Sequence, residues 1–491
     1  MRKVTRYLGS IPHPYTGIRI PEILLTGILK SYKKHGVAGG FGLSFGRETA
    51  PEKVIKAPRG EYEITQGHTG TSIKKYLTMG SEAASEANAS AEMEADHLII
   101  VASSATAVKR IAGVYEESKI SPEQLKKSIE YNTAEVDEAI STGVINAYTI
   151  DASDLFDLSV EKLTDKEIED KFKKAFSENE RKEMLSRCLD RKFSFYGTHN
   201  QHYEYSLDKS QIMRFSLKYI DSIRVTKQIY DYIKSKMKRP FGFEISLDET
   251  FEKTGEEELL FYLTEWKSIG GTLDFIAPNV GFKKRKDFRG NLDELEERVA
   301  KLAVIAGSYG VLLSIHSGSG SSPYSGKGRG TYKALLKATE GKIKYKISGV
   351  YIELIFEILA SYPAGSAERS LYEQIFDETY AYLLEQMEKG GKLASKLLRE
   401  QLNRYKRAVE KNTRKPYDPR ASFFRFNSYL ALNFRDSKGR RYLRDKIVEF
   451  YQTNERFHEK VDREVEKLTS RLIGGLNFAN NERFIKNSQV I

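Results

Sequence analysis

Short apolar runs ending in polar residues recur along the chain, separated by longer stretches whose apolar positions return every three or four residues. The runs are GFGLSFG (Gly40–Gly46), HLIIVASS (His97–Ser104), NAYTIDAS (Asn146–Ser153) and RKFSFYGTH (Arg191–His199). They continue with FGFEISLD (Phe241–Asp248), TLDFIAPN (Thr272–Asn279), VLLSIHSGS (Val311–Ser319) and IKYKISG (Ile343–Gly349). Their length and β-rich character predict strands. Between them, SPEQLKKSIEYNTAEVDEAI, LTDKEIEDKFKKAF and NLDELEERVAKLAVIAGSYG read as helices. Ser121 ahead of Pro122 and Asn291 ahead of Asp293 and Glu294 are helix starts, and Gly310 is a helix stop.

Strands alternating with helices predict a largely parallel sheet, and eight such units predict an α/β fold of the (β/α)8 TIM-like barrel type. An open doubly wound sheet is the alternative. EYEITQG (Glu61–Gly67) reads as a ninth strand or an accessory hairpin. After about Ala360 the pattern is almost purely helical, broken by the Pro-rich RKPYDPRA. The expected division is a catalytic barrel with N-terminal elaborations over residues 1–360 and a helical C-terminal appendage over 361–491. No internal repeat or low-complexity tract is present.

Composition narrows the class. With 40% hydrophobic and 30% charged residues, the 491-residue chain can bury a sizeable core. The single cysteine, Cys188, excludes a disulfide framework and a cysteine-based zinc site. No apolar run approaches the roughly 20 residues that span a bilayer, and the basic N-terminus lacks the apolar stretch of a secretory signal. A soluble cytoplasmic protein is expected. Abundant Lys, Arg and Glu with little Cys and Met suits a thermophile. The net charge of +11 is concentrated in residues 401–491, which hold 21 Lys/Arg against 11 Asp/Glu. There the two signs interleave at helical spacing, so a solvated helical face or an inter-subunit surface is favoured over nucleic-acid binding. A homo-oligomer is compatible with that surface.

Catalytic groups of such barrels sit at strand C-termini and in the loops that follow. Four predicted strands finish in polar groups that are costly to bury: Asp151, His199, Glu244 and His316. His202 adds a second imidazole one loop turn beyond His199. Neutral imidazoles with carboxylates suit a divalent transition ion that polarises a carbonyl. Glu244, Ser246 and Asp248 share a face if the segment stays extended, although Asp248 serves equally as an N-cap for the following helix. HSGSGSSPYSGKGRG (His316–Gly330) offers backbone N–H groups, Ser317, Lys327 and Arg329 to an anion, while fitting no nucleotide-loop pattern. QGHTGTSIKK offers His68, Thr69, Ser72 and Lys74, though loop structure accounts for it better than function. VGFKKRKDFRG, after Asn279, carries five basic residues that either meet an acidic substrate or are solvated. Lys346 is either a carboxylate partner or a Schiff-base lysine.

THNQHYEYSLDK, FGFEISLDET, FIAPNVGFKKRKDFRG and SIHSGSGSSPYSGKGRG, in that order, resemble the tagaturonate/fructuronate epimerase family, whose relatives include thermophilic tagatose 4-epimerases. The resemblance implies a barrel isomerase of hexuronate breakdown that depends on a divalent metal (Zn, Mn, Ni or Co). Its partner is a small keto-uronate or keto-sugar: tagaturonate and fructuronate, or tagatose and fructose. The inverted carbon lies β to the ketone, so simple enolisation does not acidify its C–H. Retro-aldol cleavage, rotation and re-addition is one route, and a hydride shift is another. The resemblance assigns no individual ligand; the residue inventory favours His199, His202 and His316 around the metal and Asp151 and Glu244 as the acid/base pair, with Glu244 alternatively a ligand. His68, Asp248, Asn279, Ser317, Lys327 and Lys346 are the expected substrate contacts, the substrate carboxylate lying against Lys346 or Lys327. A metal-dependent aldolase acting on a sugar phosphate is the nearest rival, and a polyanion-binding protein a distant one.

Overall fold

The computed structural model describes residues 5–58, 67–102, 120–197 and 201–485. Its centre is a closed barrel of eight parallel strands. In chain order these are β1 (His13–Gly17), β2 (Gly39–Ser44), β3 (Ala91–Ile99), β4 (Ala147–Asp151), β5 (Gly242–Ser246), β6 (Phe275–Ala277), β7 (Leu312–Ile315) and β8 (Ile343–Ile347). Each pairs with its sequence neighbours, and β1 closes the ring by pairing with β8, Pro14 opposite Tyr345. Each strand is followed by a principal barrel helix: α1 (Pro21–His35), α2 (Ile73–Glu86), α3 (Pro122–Ser141), α4 (Lys209–Lys236), α5 (Glu256–Ser268), α6 (Leu292–Ser308), α7 (Thr331–Thr339) and α8 (Gly349–Ala360), with shorter helices Glu52–Lys56, Asp165–Ala175 and Glu178–Cys188 in the connections. The (β/α)8 expectation therefore holds, and the open sheet does not.

The expected helix starts form as the sequence proposes. Ser121 and Gln124 make a reciprocal capping box at α3, and the Asn291 side chain accepts from the Asp293 and Glu294 N–H groups at α6. Gly310 ends the α6 turn at φ 75°, a left-handed conformation that glycine adopts without a Cβ clash. Asp248 is no helix cap: α5 begins at Glu256, capped by Gly255.

Strand assignment departs from expectation in three places. HPYTG, too short and proline-bearing to stand out, is the first barrel strand. Phe193–Tyr196, expected in the barrel, instead pairs antiparallel with His202–Tyr205 in an accessory hairpin. The third strand lies earlier than HLIIVASS, over AEMEADHLI, where acidic residues disguise it. The proposed strand residues 61–66 fall outside the described residues.

β3 and β8 carry inverted alternation. Glu92, Glu94 and Asp96 alternate with Ala91, Met93 and Ala95, and Lys344 and Lys346 alternate with Ile343, Tyr345 and Ile347. Their apolar side chains pack outward against the helices, and their charges meet inside the barrel. Room for them comes from glycine-rich β2. A Cβ on Gly42 would stand 2.3 Å from the Glu94 carbonyl oxygen and 2.4 Å from the Tyr15 hydroxyl.

Beyond α8 the chain is helical. The helix Glu455–Gly475 lies against α1, where Gly27 permits an approach so close that a Cβ would meet the Asp462 carbonyl at 2.7 Å. Among the described residues no helix is long and apolar enough to cross a membrane.

Candidate active site

A cavity of about 130 Å³ opens at the C-terminal ends of the barrel strands. Its floor is the charged interior. Lys346 Nζ lies 2.7 Å from Glu94, 2.8 Å from Asp96, 3.0 Å from Glu244 and 2.8 Å from the Thr149 hydroxyl. Lys344 binds Glu94, and Glu244 at 2.9 Å. Burial alone would lower both ammonium pKa values, but Glu244, Glu94 and Asp96 reverse the effect and raise them. Lys346 is thus held as a cation by three carboxylates, the form opposite to the free amine that imine formation needs. Burial likewise disfavours the Glu94 and Glu244 carboxylates, and the two lysines more than restore them, so both are lowered.

Two histidines stand above this floor, their ring centroids 4.8 Å apart. His97 occupies a bulge: the β3–β4 register shifts between Ala95 and Leu98, and His97 adopts φ 51°. Regular alternation would turn either Asp96 or His97 away. The bulge lets both face the cavity, at the cost of a left-handed conformation unfavourable for a non-glycine residue. Asp96 Oδ1 lies 2.7 Å from His97 Nδ1. His316, at the end of β7, has Nε2 2.6 Å from Glu244 and Nδ1 3.1 Å from Asp248. Burial pulls His316 down, but Asp248 and Glu244 override it and push its pKa up to about 9. Its ring thus lies between two carboxylates, one on each nitrogen.

His97, Asp248 and His316 bring one donor atom each within 4.8 Å of one another, and so do His97, Asp151 and Glu249. The first group fits a divalent ion well. Each imidazole keeps one nitrogen on a carboxylate, Asp96 for His97 and Glu244 for His316, the arrangement that fixes tautomer and ring orientation in metal sites. Glu249 accepts from Arg47 and from Lys284, both at 2.8 Å.

The expected site residues separate clearly. Asp151, Glu244, Asp248, His316, Ser317 and Lys346 converge on or directly beneath the cavity. Glu244, however, has its oxygens occupied by His316 and the two lysines, so it orients His316 and is not free to exchange protons with a substrate. His199 lies outside the described residues. His202 does not join the cluster: it sits on the exposed accessory hairpin, its ring stacked on Tyr196 at 4.8 Å. Lys327 is fully buried and donates to the carbonyls of Lys283, Ser317 and Ser319, at 2.7, 2.6 and 3.1 Å. It pins the glycine-rich loop from within and has no donor left for a ligand. Asn279 clips its loop, donating to the Thr250 carbonyl and accepting from the Gly281 N–H. His68 is buried against Tyr429, ring centroids 4.7 Å apart, and is not part of the cavity lining. Ser72 caps α2.

Sequence reading missed Arg19, Arg47, Glu48, Glu94, Asp96, His97, Glu249 and Lys344. Two of the five basic residues in VGFKKRKDFRG, Lys284 and Arg285, line the cavity and are not a solvated run. For β3 and β8 a signal existed in the matched alternation of AEMEAD and IKYKI. For Arg19 and Arg47 none did.

A family model described as UxaE, tagaturonate epimerase, matches residues 130–470. The chain is also similar to the fructuronate-tagaturonate epimerase UxaE from Cohnella laeviribosi. Its crystal structures with one and with two glycerols each superpose with a TM-score of 0.65, at 17% identity over 96% of this chain and 83% of that chain. The native crystal structure of the same protein gives 0.63 at the same identity and coverage. At that identity the likeness speaks for the fold. No curated protein matches.

Proposed function

The chain belongs to the UxaE tagaturonate epimerase family and is a carbohydrate epimerase; from that premise we propose that it interconverts tagaturonate and fructuronate with a divalent metal held by His97, His316 and Asp248. The observation that carries this reading is the pair of imidazoles, each backed by a carboxylate, meeting Asp248 above a buried layer of lysines and glutamates. Zn, Mn, Ni and Co all suit such a donor set. A divalent ion held there supplies Lewis-acid polarisation of the substrate ketone.

The protein's own groups supply the rest. Inverting a carbon β to a ketone is reached by opening the bond between the α and β carbons, rotating the aldehyde fragment and closing the bond on its other face. Opening requires a base for the β-hydroxyl proton, and closing returns that proton. Asp151, beside His97 and Glu249, takes this role. Glu249, paired with Arg47 and Lys284, accepts from substrate hydroxyls. Lys346 holds Asp96 and Glu244 in place behind the two histidines. The walls of the cavity retain the fragment until it is re-added.

The test strips the protein with a chelator, reloads it separately with Mn, Ni, Co and Zn, and incubates each sample with tagaturonate and with tagatose. Fructuronate or fructose is expected to appear only after reloading, without accumulation of three-carbon fragments. Fragments without epimer would move the assignment to an aldolase, and metal-independent turnover would remove the metal from the reading.

A further inference from the structure

The cavity has a second chemical pole that the epimerisation chemistry does not use. Arg19 follows β1, Arg285 comes from the loop after β6, and Ser348 and Gly349 open α8 after β8; all four line the cavity. Arg19 Nε donates to the Ser348 hydroxyl at 3.1 Å, and its Nη2 binds Glu48. Its remaining Nη1 is buried without a hydrogen-bond partner, an expensive state for a guanidinium unless something arrives to accept from it. Arg285 Nε lies 3.3 Å from Glu353 and its Nη1 donates to the Arg425 carbonyl.

Both guanidiniums converge on the first residue of α8. A Cβ on Gly349 would stand 3.0 Å from Arg285 Nη2 and 3.5 Å from Arg19 Nη1, so glycine keeps a gap open where both reach. The helix leaves this end unneutralised: the Ser348 side chain makes no cap and the first turn has no acidic residue. Helix N-termini with free N–H groups favour an anion.

The charge count identifies what kind of anion. Arg19, Arg285 and Arg425 face Glu48 and Glu353, an excess of one positive charge. The neighbouring Arg47 and Lys284 are matched by Glu249 and by Asp151, which acts on Arg47. Consistent with uncompensated positive charge, burial together with Arg19 and Arg425 pulls Arg285 down to about 10, against the opposing pull of Glu353. One excess charge balances a carboxylate, whereas a phosphate ester brings about −1.5 to −2.

We infer that Arg19, Arg285 and the N-terminus of α8 seat the terminal carboxylate of a keto-hexuronate, and so make the enzyme select uronates over the neutral ketose. This rests on the epimerase reading above and adds the residues that read the substrate's end. It also moves the carboxylate away from Lys346 and Lys327, whose ammonium groups are already saturated.

The experiment measures kcat/KM for tagaturonate and tagatose in the metal-loaded wild type, Arg19→Gln and Gly349→Ala, with tagatose 6-phosphate as a third substrate. Each variant is expected to lose about 100-fold with tagaturonate, mainly through KM, and no more than about threefold with tagatose. An equal loss on both sugars would mean a structural role and overturn the seat. Preference of the wild type for the phosphate ester would overturn the carboxylate assignment. Gly349→Ala covers the case in which Arg19→Gln strands buried Glu48 and fails to fold. If the wild type epimerises neither sugar, the functional reading fails on its own, and calorimetry still decides the seat. Tagaturonate binding that is weakened in Gly349→Ala supports it, and equal binding refutes it.

Discussion

At the scale of single residues, the site divides into groups that hold, groups that orient and groups that react. In the proposed metal site His316 is a holder, and its far nitrogen rests on Glu244, which rests in turn on Lys344 and Lys346. Three substitutions separate these roles. His316→Ala should abolish tight metal binding. Glu244→Gln should weaken it about 10- to 100-fold, because the imidazole loses its charged acceptor. Asp151→Asn should keep the metal and lose about 100- to 10,000-fold in kcat, because the proton acceptor is gone. Metal content by elemental analysis, read beside turnover, checks all three, and a metal-deficient Asp151→Asn would return Asp151 to the ligand set. Asp151, Glu244, Asp248 and His316 were legible in the sequence because a polar residue closing an apolar run stands out. Arg19 was not, since one arginine among 79 Lys and Arg residues carries no mark of the fold that buries it, and Arg285 stood out only as a member of the basic run after Asn279.

At the scale of elements, β3 is the most informative strand. Its first acidic residue, Glu92, accepts from the Leu8 N–H at 2.8 Å. Burial pushes its pKa up to about 8, with Lys344 partly opposing. The folded state therefore keeps a proton that the unfolded chain releases near 4.5, the ordinary value. Stability contributed by this group is present below that point and is lost as pH rises towards 8. Glu92→Gln removes the titration, so its stability relative to the wild type should grow between pH 5 and 8, by on the order of a few kcal/mol. Thermal melts of both proteins across that range test it, and parallel curves would show that Glu92 is ionised in the fold. The same strand explains a missed boundary. Alternating acids and apolar residues read as solvated when the partner lysines are 250 positions away, and only closure of the barrel turns that face inward.

At the scale of the whole molecule, the C-terminal helices are tied into the barrel. Lys30 meets Asp462 at 2.9 Å, Tyr351 meets Thr469 at 2.8 Å, and Arg444 reaches Glu22 at 2.9 Å. Arg425 binds Glu353 at 2.8 Å, behind Arg285, so this region also supports the cavity wall. Calorimetry should show one cooperative unfolding transition. Gly27→Ala should destabilise the protein as a unit by about 1–3 kcal/mol, through overpacking against the Asp462 carbonyl, and so lower the single midpoint. A separate early transition for the C-terminal helices would contradict this coupling.

The sequence by itself determined the alternation of strand and helix, the helix caps, the largely helical C-terminal region and the polar strand ends, because each depends on neighbours within a few positions. The tertiary structure alone decided that HPYTG closes the barrel and that Phe193–Tyr196 does not enter it. It also decided that Lys327 is a staple for its loop, that His97 is turned inward by a bulge, and that Arg19 and Arg285 meet at Gly349. Those outcomes depend on which distant charges share a buried space. Burial converts such pairings from weak surface contacts into requirements of the fold, and no local pattern records them.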